Sequence, residues 1–200
     1  VVIEAVKAAK KYGTVVSYDL NYRPSLWNDI GGQAKAQEVN KELAKYVDVM
    51  IGNEEDFTAC LGFKIEGNDA DLKELNMEGY EKMLGEVCKA YPNFKVIATT
   101  LRTVITATVN SWKAICYADG KIYHSIEFPQ LEILDRVGGG DSFAGSLIYG
   151  LNHYKGKQSA LEFAVAASCL KHSVIGDFNR VSVSDVAKLM GGDGTGRVQR

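Results

Sequence analysis

Three consecutive glycines constrain the fold of this chain more than any other feature of the sequence. They occupy positions 138–140 within the run DRVGGGDSF, residues 135–143. Apolar side chains then recur at the spacing of one helix face, at Phe143, Leu147, Leu151 and Tyr154. This spacing predicts a helix over residues 140–154. The glycines are therefore expected at its first turn.

A glycine-rich first turn is suited to binding a phosphate. Glycine lets a ligand approach the main chain, and the first turn offers unpaired N–H groups at the positive end of the helix dipole. We therefore expect Gly138, Gly139 and Gly140 to form an anion hole. Asp141, at its edge, would accept the proton of a hydroxyl that attacks a phosphoryl group. The same residue types also cap ordinary helices, so the pattern alone leaves a plain helix start open.

Other nucleotide motifs do not account for the glycines. A dinucleotide fingerprint would need glycine where Phe143 stands, and the chain contains no Walker-type P-loop. The run DRVGGGDSF instead resembles the C-terminal signature of the PfkB (ribokinase-like) carbohydrate kinases, and most resembles that of 2-keto-3-deoxygluconate kinases. In that family the last aspartate is the catalytic base and the glycine amides form the anion hole. Arg136 and Gly139 differ from the commoner threonine and alanine but match a bacterial ketodeoxygluconate kinase subgroup.

The resemblance covers the whole chain but maps onto the C-terminal part of such a kinase. It implies a three-layer α/β fold, with a mostly parallel central sheet, helices on both faces and an antiparallel edge hairpin. We expect residues 1–200 to be the C-terminal portion of a single ribokinase-like domain. The N-terminal part and its small β lid would be missing, because the chain begins at Val1 inside a helical pattern without a cap. Homo-oligomerisation of the full-length protein is compatible with the resemblance.

Composition excludes several classes of partner. A net charge of −2, with 46% hydrophobic and 24% charged residues, is typical of a globular domain without bias toward nucleic acid. The sequence has no apolar run of bilayer length and no signal peptide, so we expect no membrane partner. Scattered cysteines indicate reduced thiols and a cytoplasmic location: Cys60, Cys88, Cys116 and Cys169. Three isolated histidines are expected to be surface or structural residues: His124, His153 and His172.

The first candidate binding loop follows a predicted strand at residues 14–18. Ligands collect at the carboxyl ends of parallel strands, where Asn21 and Arg23 offer groups for a phosphate or carboxylate. Asparagine and the following Pro24 are also ordinary turn residues. The run DLNYRPSLW resembles a ketodeoxygluconate kinase stretch, and the resemblance implies that Asn21 and Arg23 contact both the nucleotide phosphates and the substrate.

A second loop follows the predicted strand 48–51 and opens a short helix at residues 57–61. Acidic residues at a helix start are favoured by the dipole alone. Asn53 and Asp56 also match the spacing of the family motif Asn-x-x-Glu, which helps hold Mg²⁺ and its waters near the phosphates. The resemblance implies that Asn53 lies near ATP. It also implies that Asp56, with its shorter carboxylate, acts on Mg²⁺ through water.

The remaining patterns predict one more strand, a hairpin and several helices. The strand 95–99 is expected to end in a loop at residues 100–102, where the resemblance implies that Thr100 and Arg102 reach ATP. Asp119 and Gly120 predict a two-residue hairpin turn. Asp177 is a turn residue, and the resemblance implies that it approaches the sugar. Helices are expected over residues 2–12, 33–47, 78–91, 157–175 and 183–190, and a surface excursion over residues 64–76.

Four loops would thus line one edge of a doubly wound sheet. They carry Asn21 with Arg23, Asn53 with Asp56, Arg102, and the glycine turn with Asp141. The predicted function is ATP-dependent phosphorylation of a sugar acid, 2-keto-3-deoxygluconate to its 6-phosphate. Two alternatives stay open: another PfkB sugar kinase of the fructokinase or ribokinase type, or a non-catalytic nucleotide-binding fragment.

Overall fold

A computed structural model describes residues 1–53, 55–65 and 75–191, and it confirms the predicted α/β fold class. The strands are β1 (Ser17–Asp19), β2 (Val49–Gly52), β3 (Val96–Val104), β4 (Val109–Ala118), β5 (Lys121–His124) and β6 (Phe128–Glu132). The α-helices are α1 (Val2–Lys11), α2 (Pro24–Trp27), α3 (Gly32–Ala44), α4 (Met77–Ala90), α5 (Gly139–His153), α6 (Lys157–Lys171) and α7 (Val183–Met190). A short 3-10 helix covers Asn28–Ile30, and the helix predicted at residues 57–61 is a short π-helix, Phe57–Leu61. Most of the predicted excursion over residues 64–76 lies outside the described residues.

The strands form one open sheet of mixed direction. Its order is β1-β2-β3-β4-β5, and β6 also pairs with β4. The pairs β1/β2 and β2/β3 are parallel, with Asp19 opposite Ile51 and Gly52 opposite Thr99. The carboxyl ends of β1 and β2 therefore lie side by side. Asp119 and Gly120 both adopt positive φ, 52° and 75°, as a tight hairpin turn requires, which confirms the predicted hairpin.

The chain divides into two compact units. Unit 1 comprises Val1–Leu101 and Ile115–Ile122, and unit 2 comprises Arg102–Ala114 and Tyr123–Arg200. Large apolar side chains form the core of unit 1, among them Met50, Phe57, Tyr80 and Leu84. In unit 2 the buried face of α6, with Phe163, Ala166 and Ala167, packs against Val186 of α7. All four cysteines lie among the described residues and are free thiols, as predicted.

A buried carboxylate links three segments of unit 1. Asp48, only 2% exposed, accepts a hydrogen bond from the Val16 amide at 2.9 Å. The ammonium groups of Lys10 and Lys95 lie 2.8 and 3.3 Å from its oxygens. The carboxylate is buried, whereas the lysines are partly exposed. The folded state is therefore stabilised mainly because the buried carboxylate has hydrogen-bond partners.

We expect Asp48→Asn to lower the free energy of unfolding by about 1–2 kcal/mol, since the amide keeps the bond from Val16 but loses both cationic partners. Urea denaturation of the two proteins would measure the change. Glu42→Gln, which breaks the exposed pair with Lys45, is the control and should leave the urea midpoint unchanged. Equal effects of the two substitutions would contradict this assignment.

Candidate functional site

The glycine turn begins α5 in a conformation that only glycine fits. Gly138 precedes the helix with φ 77°, in the left-handed region that disfavours side chains. A Cβ built on Gly138 would lie 2.5 Å from the carbonyl oxygen of Asp177. The main chain at Asp177 therefore packs directly on the turn, whereas the Asp177 side chain is exposed.

Two main-chain amides of the first turn are available to a ligand. The structure departs from the anion hole predicted from Gly138, Gly139 and Gly140, because the Gly139 amide already donates a long bond, 3.4 Å, to the carbonyl of Arg136. Within the described part of the chain, the amides of Gly140 and Asp141 have no acceptor, as expected for a first helical turn. A Cβ on Gly140 would meet no atom within 4 Å, and the Asp141 side chain is exposed. The first turn is therefore open to solvent at Gly140 and Asp141 and carries the Asp141 carboxylate.

Asp135 fixes the entry to this turn. One carboxylate oxygen accepts from the Val137 amide at 2.9 Å and the other from the Gly176 amide at 2.8 Å. These main-chain bonds lower the pKa of Asp135 below its ordinary value. The charged side chain therefore ties the glycine turn to the segment that carries Asp177. The spacing of the motif did not predict this link.

His172 and Ser168 of unit 2 hold the buried side of the turn. The Ser168 hydroxyl donates to the Gly139 carbonyl at 2.8 Å. The Nδ1 atom of His172 lies 2.7 Å from the Ser168 carbonyl. Because a carbonyl can only accept, Nδ1 carries the proton. The Trp112 ring meets the imidazole edge-on, with 4.8 Å between ring centroids. The sequence contained no local pattern that marks His172 for this position.

The surroundings of His172 favour its neutral form. Burial lowers the pKa of its imidazole, and the nearby cations of Lys171, Arg136 and Arg102 lower it further, against the opposing effect of the Ser168 carbonyl. The unfolded chain has the ordinary histidine pKa of about 6.5. The unfolded state therefore binds more protons than the folded state just below that pH.

We expect stability to be lost as pH falls through about 6.5, because protonation then favours the unfolded chain. The loss should continue down to the lowered pKa of folded His172 and stop there. Melting temperatures between about pH 5 and about pH 8 would measure it. His172→Asn should flatten the profile, whereas His153→Asn, at an exposed position of α5, should not. A wild-type profile identical to that of His172→Asn would contradict the prediction.

The loops after β1 and β2 carry the candidate residues of unit 1. Asn21 adopts φ 40°, a conformation that asparagine tolerates better than most residues. Arg23 is exposed, and its guanidinium donates to the Tyr22 carbonyl at 2.9 Å. Both side chains lie at the carboxyl end of β1, where the sequence placed them.

Asn53 and Asp56 form a reciprocal capping arrangement. The Asn53 side-chain oxygen accepts from the amides of Glu55 and Asp56 at 2.8 and 3.0 Å. One oxygen of Asp56, which is 3% exposed, accepts from the Asn53 amide at 2.9 Å. This is the hydrogen-bond pattern of a capping box. The other oxygen accepts from the Tyr22 amide at 2.9 Å. Asp56 therefore joins the two candidate loops through their main chains.

The prediction of a loop at residues 100–102 is wrong. Thr100, Leu101 and Arg102 lie inside β3, which continues to Val104 before turning into β4. The amides of Ile105 and Thr106 then donate to the Val109 carbonyl and close the turn. Thr100 is buried in unit 1, whereas Arg102 is half-buried in unit 2.

The predicted site residues are thus divided between the two units. Unit 1 contains Asn21, Arg23, Asn53, Asp56 and Thr100. Unit 2 contains Arg102, the glycine turn with Asp141, and Asp177. Among the described residues, no cluster of three or more His, Cys, Asp or Glu side chains is arranged to hold a metal ion. In the same residues, no helix is long and apolar enough to span a membrane.

Comparison with known proteins gives consistent matches. The profile described as pfkB family carbohydrate kinase matches residues 1–180. A crystal structure of 2-dehydro-3-deoxygluconokinase from Thermotoga maritima superposes with a TM-score of 0.85 and 44% sequence identity, covering 94% of this chain and 54% of that one. The 2-dehydro-3-deoxygalactonokinase of Haloferax volcanii is 27% identical over 191 residues, 95% of this chain and 52% of its own length.

More distant structures share the fold. A putative Ribokinase II from E. coli, solved in complex with ATP and Mg²⁺, superposes with a TM-score of 0.68 at 17% identity, covering 94% of this chain and 52% of that one. This supports the predicted ribokinase-like architecture. The chain spans about half the length of the relatives that it matches.

Proposed function

Because the chain belongs to the pfkB family of carbohydrate kinases, we propose that the full-length protein transfers the γ-phosphoryl group of ATP to a sugar acid. The proposed substrate is 2-keto-3-deoxygluconate, and the product is its 6-phosphate. The observation that carries the proposal is the first turn of α5, where the amides of Gly140 and Asp141 have no acceptor among the described residues and the Asp141 side chain is exposed. Two relatives named as kinases of 2-dehydro-3-deoxy sugar acids support this substrate class.

Asp141 is the proposed general base. It accepts the proton of the terminal hydroxyl as that oxygen attacks the γ-phosphorus. The amides of Gly140 and Asp141 and the dipole of α5 stabilise charge on the transferring group. The tight Gly138 turn and the buried Gly139 hold those amides in place. Arg102 is the proposed contact of unit 2 to the phosphates, and Asp177 the proposed contact to the sugar.

The loops of unit 1 are the proposed binding elements for ATP and Mg²⁺. Asn21 and Arg23 are proposed to contact the phosphates and the substrate, and Asn53 and Thr100 the nucleotide. Both oxygens of Asp56 already accept main-chain amides, so we propose that Asp56 reaches Mg²⁺ only through water. Mg²⁺, when bound, neutralises charge on the phosphate oxygens.

A substrate panel tests the proposal. ADP release would be measured for the full-length protein with 2-keto-3-deoxygluconate, 2-keto-3-deoxygalactonate, fructose and ribose. We expect kcat/KM to be highest for a 2-keto-3-deoxy sugar acid. A preference for fructose or ribose would change the proposed substrate but leave the proposed mechanism unchanged. ATP binding by calorimetry without ADP formation from any acceptor would favour a non-catalytic nucleotide-binding protein.

A further inference from the structure

We propose that His172 is a positioning residue for the anion hole. Its imidazole fills the space beside Gly139 and so fixes the peptide that presents the Gly140 amide. The inference rests on the proposed function, because the anion hole is part of that function. It adds a residue 32 positions beyond the glycine turn that no motif in the sequence marks.

The contact between His172 and Gly139 leaves no room for a side chain at position 139. A Cβ built on Gly139 would lie 2.9 Å from Cε1 and 3.0 Å from Nε2 of the imidazole. Separations of this size are shorter than van der Waals contact allows. Gly139 differs here from Gly140, where a Cβ would meet no atom within 4 Å. The need for glycine at position 139 therefore comes from His172.

The imidazole has little freedom to move away. It is 4% exposed, its Nδ1 atom donates to the Ser168 carbonyl at 2.7 Å, and the Trp112 ring lies against it. A shift large enough to admit a methyl group at position 139 would lengthen that bond or displace Trp112. The His172 imidazole is therefore held firmly in its position beside Gly139.

The peptide between Gly139 and Gly140 connects the His172 contact to the anion hole. The Ser168 hydroxyl donates to the Gly139 carbonyl at 2.8 Å. Because the peptide is planar and trans, holding its carbonyl also sets the direction of the Gly140 N–H at the other end. Contact with His172 on the Cα side of Gly139 and the bond from Ser168 on its carbonyl side together fix the direction of the Gly140 N–H, which has no acceptor among the described residues.

We expect Gly139→Ala to lower kcat by about 10–100-fold and to change the KM for ATP by less than about 3-fold. Loss of one hydrogen-bond donor from an oxyanion hole costs about 10²–10³ in kcat, and a misdirected donor costs less. A substitution that only loosened packing would instead reduce the amount of folded enzyme and leave both constants of the folded fraction unchanged.

His172→Asn is the matched partner variant. The asparagine amide can donate to the Ser168 carbonyl in place of Nδ1, and it removes the Cε1 and Nε2 atoms that face Gly139. We expect the double variant, Gly139→Ala with His172→Asn, to regain at least about 10-fold in kcat over Gly139→Ala alone. Gly145→Ala is the control, because it lies on the same helix with open space around its Cβ and should leave kcat unchanged in either background.

All variants would be assayed in the full-length protein, at a temperature below the lowest melting temperature measured for them. Wild-type kcat in Gly139→Ala, or a double variant no better than independent effects predict, would overturn the inference while the wild-type activity upholds the proposed function. Absence of phosphoryl transfer by the wild-type protein would refute the proposed function and the positioning role with it.

Discussion

Asp141→Asn is expected to lower kcat for phosphoryl transfer by about 10²–10⁴-fold, the contribution typical of a positioned general base. Asparagine has nearly the same size as aspartate but cannot accept the proton of the attacking hydroxyl. The amides of Gly140 and Asp141 remain in place, so the KM for ATP should change by less than about 3-fold. Steady-state ADP release by the full-length protein, with the sugar acid and ATP varied in turn, would measure both constants.

The control for this variant is Asp185→Asn. Asp185 is also an acidic residue in the first turn of a helix in unit 2, α7, and accepts bonds from Ser182. It should therefore share any loss of stability from removing a negative charge at a helix start, but it should retain kcat. Ordinary turnover by Asp141→Asn would refute the base assignment. Equal losses of kcat in the two variants would show that the effect is structural.

The glycine turn and the hairpin could be predicted because their determinants are local. Gly138 needs positive φ, and Phe143 and Leu147 follow at the spacing of a helix face, so one short stretch specifies both the turn and α5. Asp119 and Gly120 specify the hairpin in the same way. In each case the residues that decide the conformation are neighbours in sequence.

The extension of β3 through Thr100 and Arg102 was missed because it depends on pairing. A strand continues as long as its neighbour supplies hydrogen-bond partners, and β4 supplies them. Nothing in the local sequence distinguishes a strand end from a strand that is prolonged by its partner. β6 was not predicted for the same reason, because it forms by antiparallel pairing with β4 at Asn110 and Trp112.

The sequence predicted three of the four candidate loops, those after β1, after β2 and before α5, but not the contacts that hold them. Asn53 and Asp56 were assigned from a family motif, and the same spacing before an apolar run is also the sequence pattern of a capping box. The bond from the Tyr22 amide to Asp56 joins residues 34 positions apart. The packing of His172 against Gly139 likewise joins two distant segments. Local sequence patterns do not identify contacts between residues so far apart in the chain.

Asp56→Ala is expected to lower the free energy of unfolding by about 2–4 kcal/mol, because the amides of Tyr22 and Asn53 lose their acceptor at a buried position. Asp56→Asn should fall between alanine and the wild type, since one carbonyl oxygen remains to accept one amide. Urea denaturation would measure both. Glu55→Ala, at an exposed neighbouring position, is the control and should leave the urea midpoint unchanged.

The same experiment separates two roles of the Asp56 carboxylate. Its bonds to the amides of Tyr22 and Asn53 need no metal, so the loss of stability should be complete in EDTA without nucleotide. A carboxylate that acted only by holding Mg²⁺ would leave stability in EDTA unchanged and raise only the Mg²⁺ concentration needed for turnover. Because Asp56 joins the loops that carry Asn21, Arg23 and Asn53, we expect the alanine variant also to bind ATP more weakly at saturating Mg²⁺. Wild-type stability of Asp56→Ala in EDTA would refute the structural link between the loops.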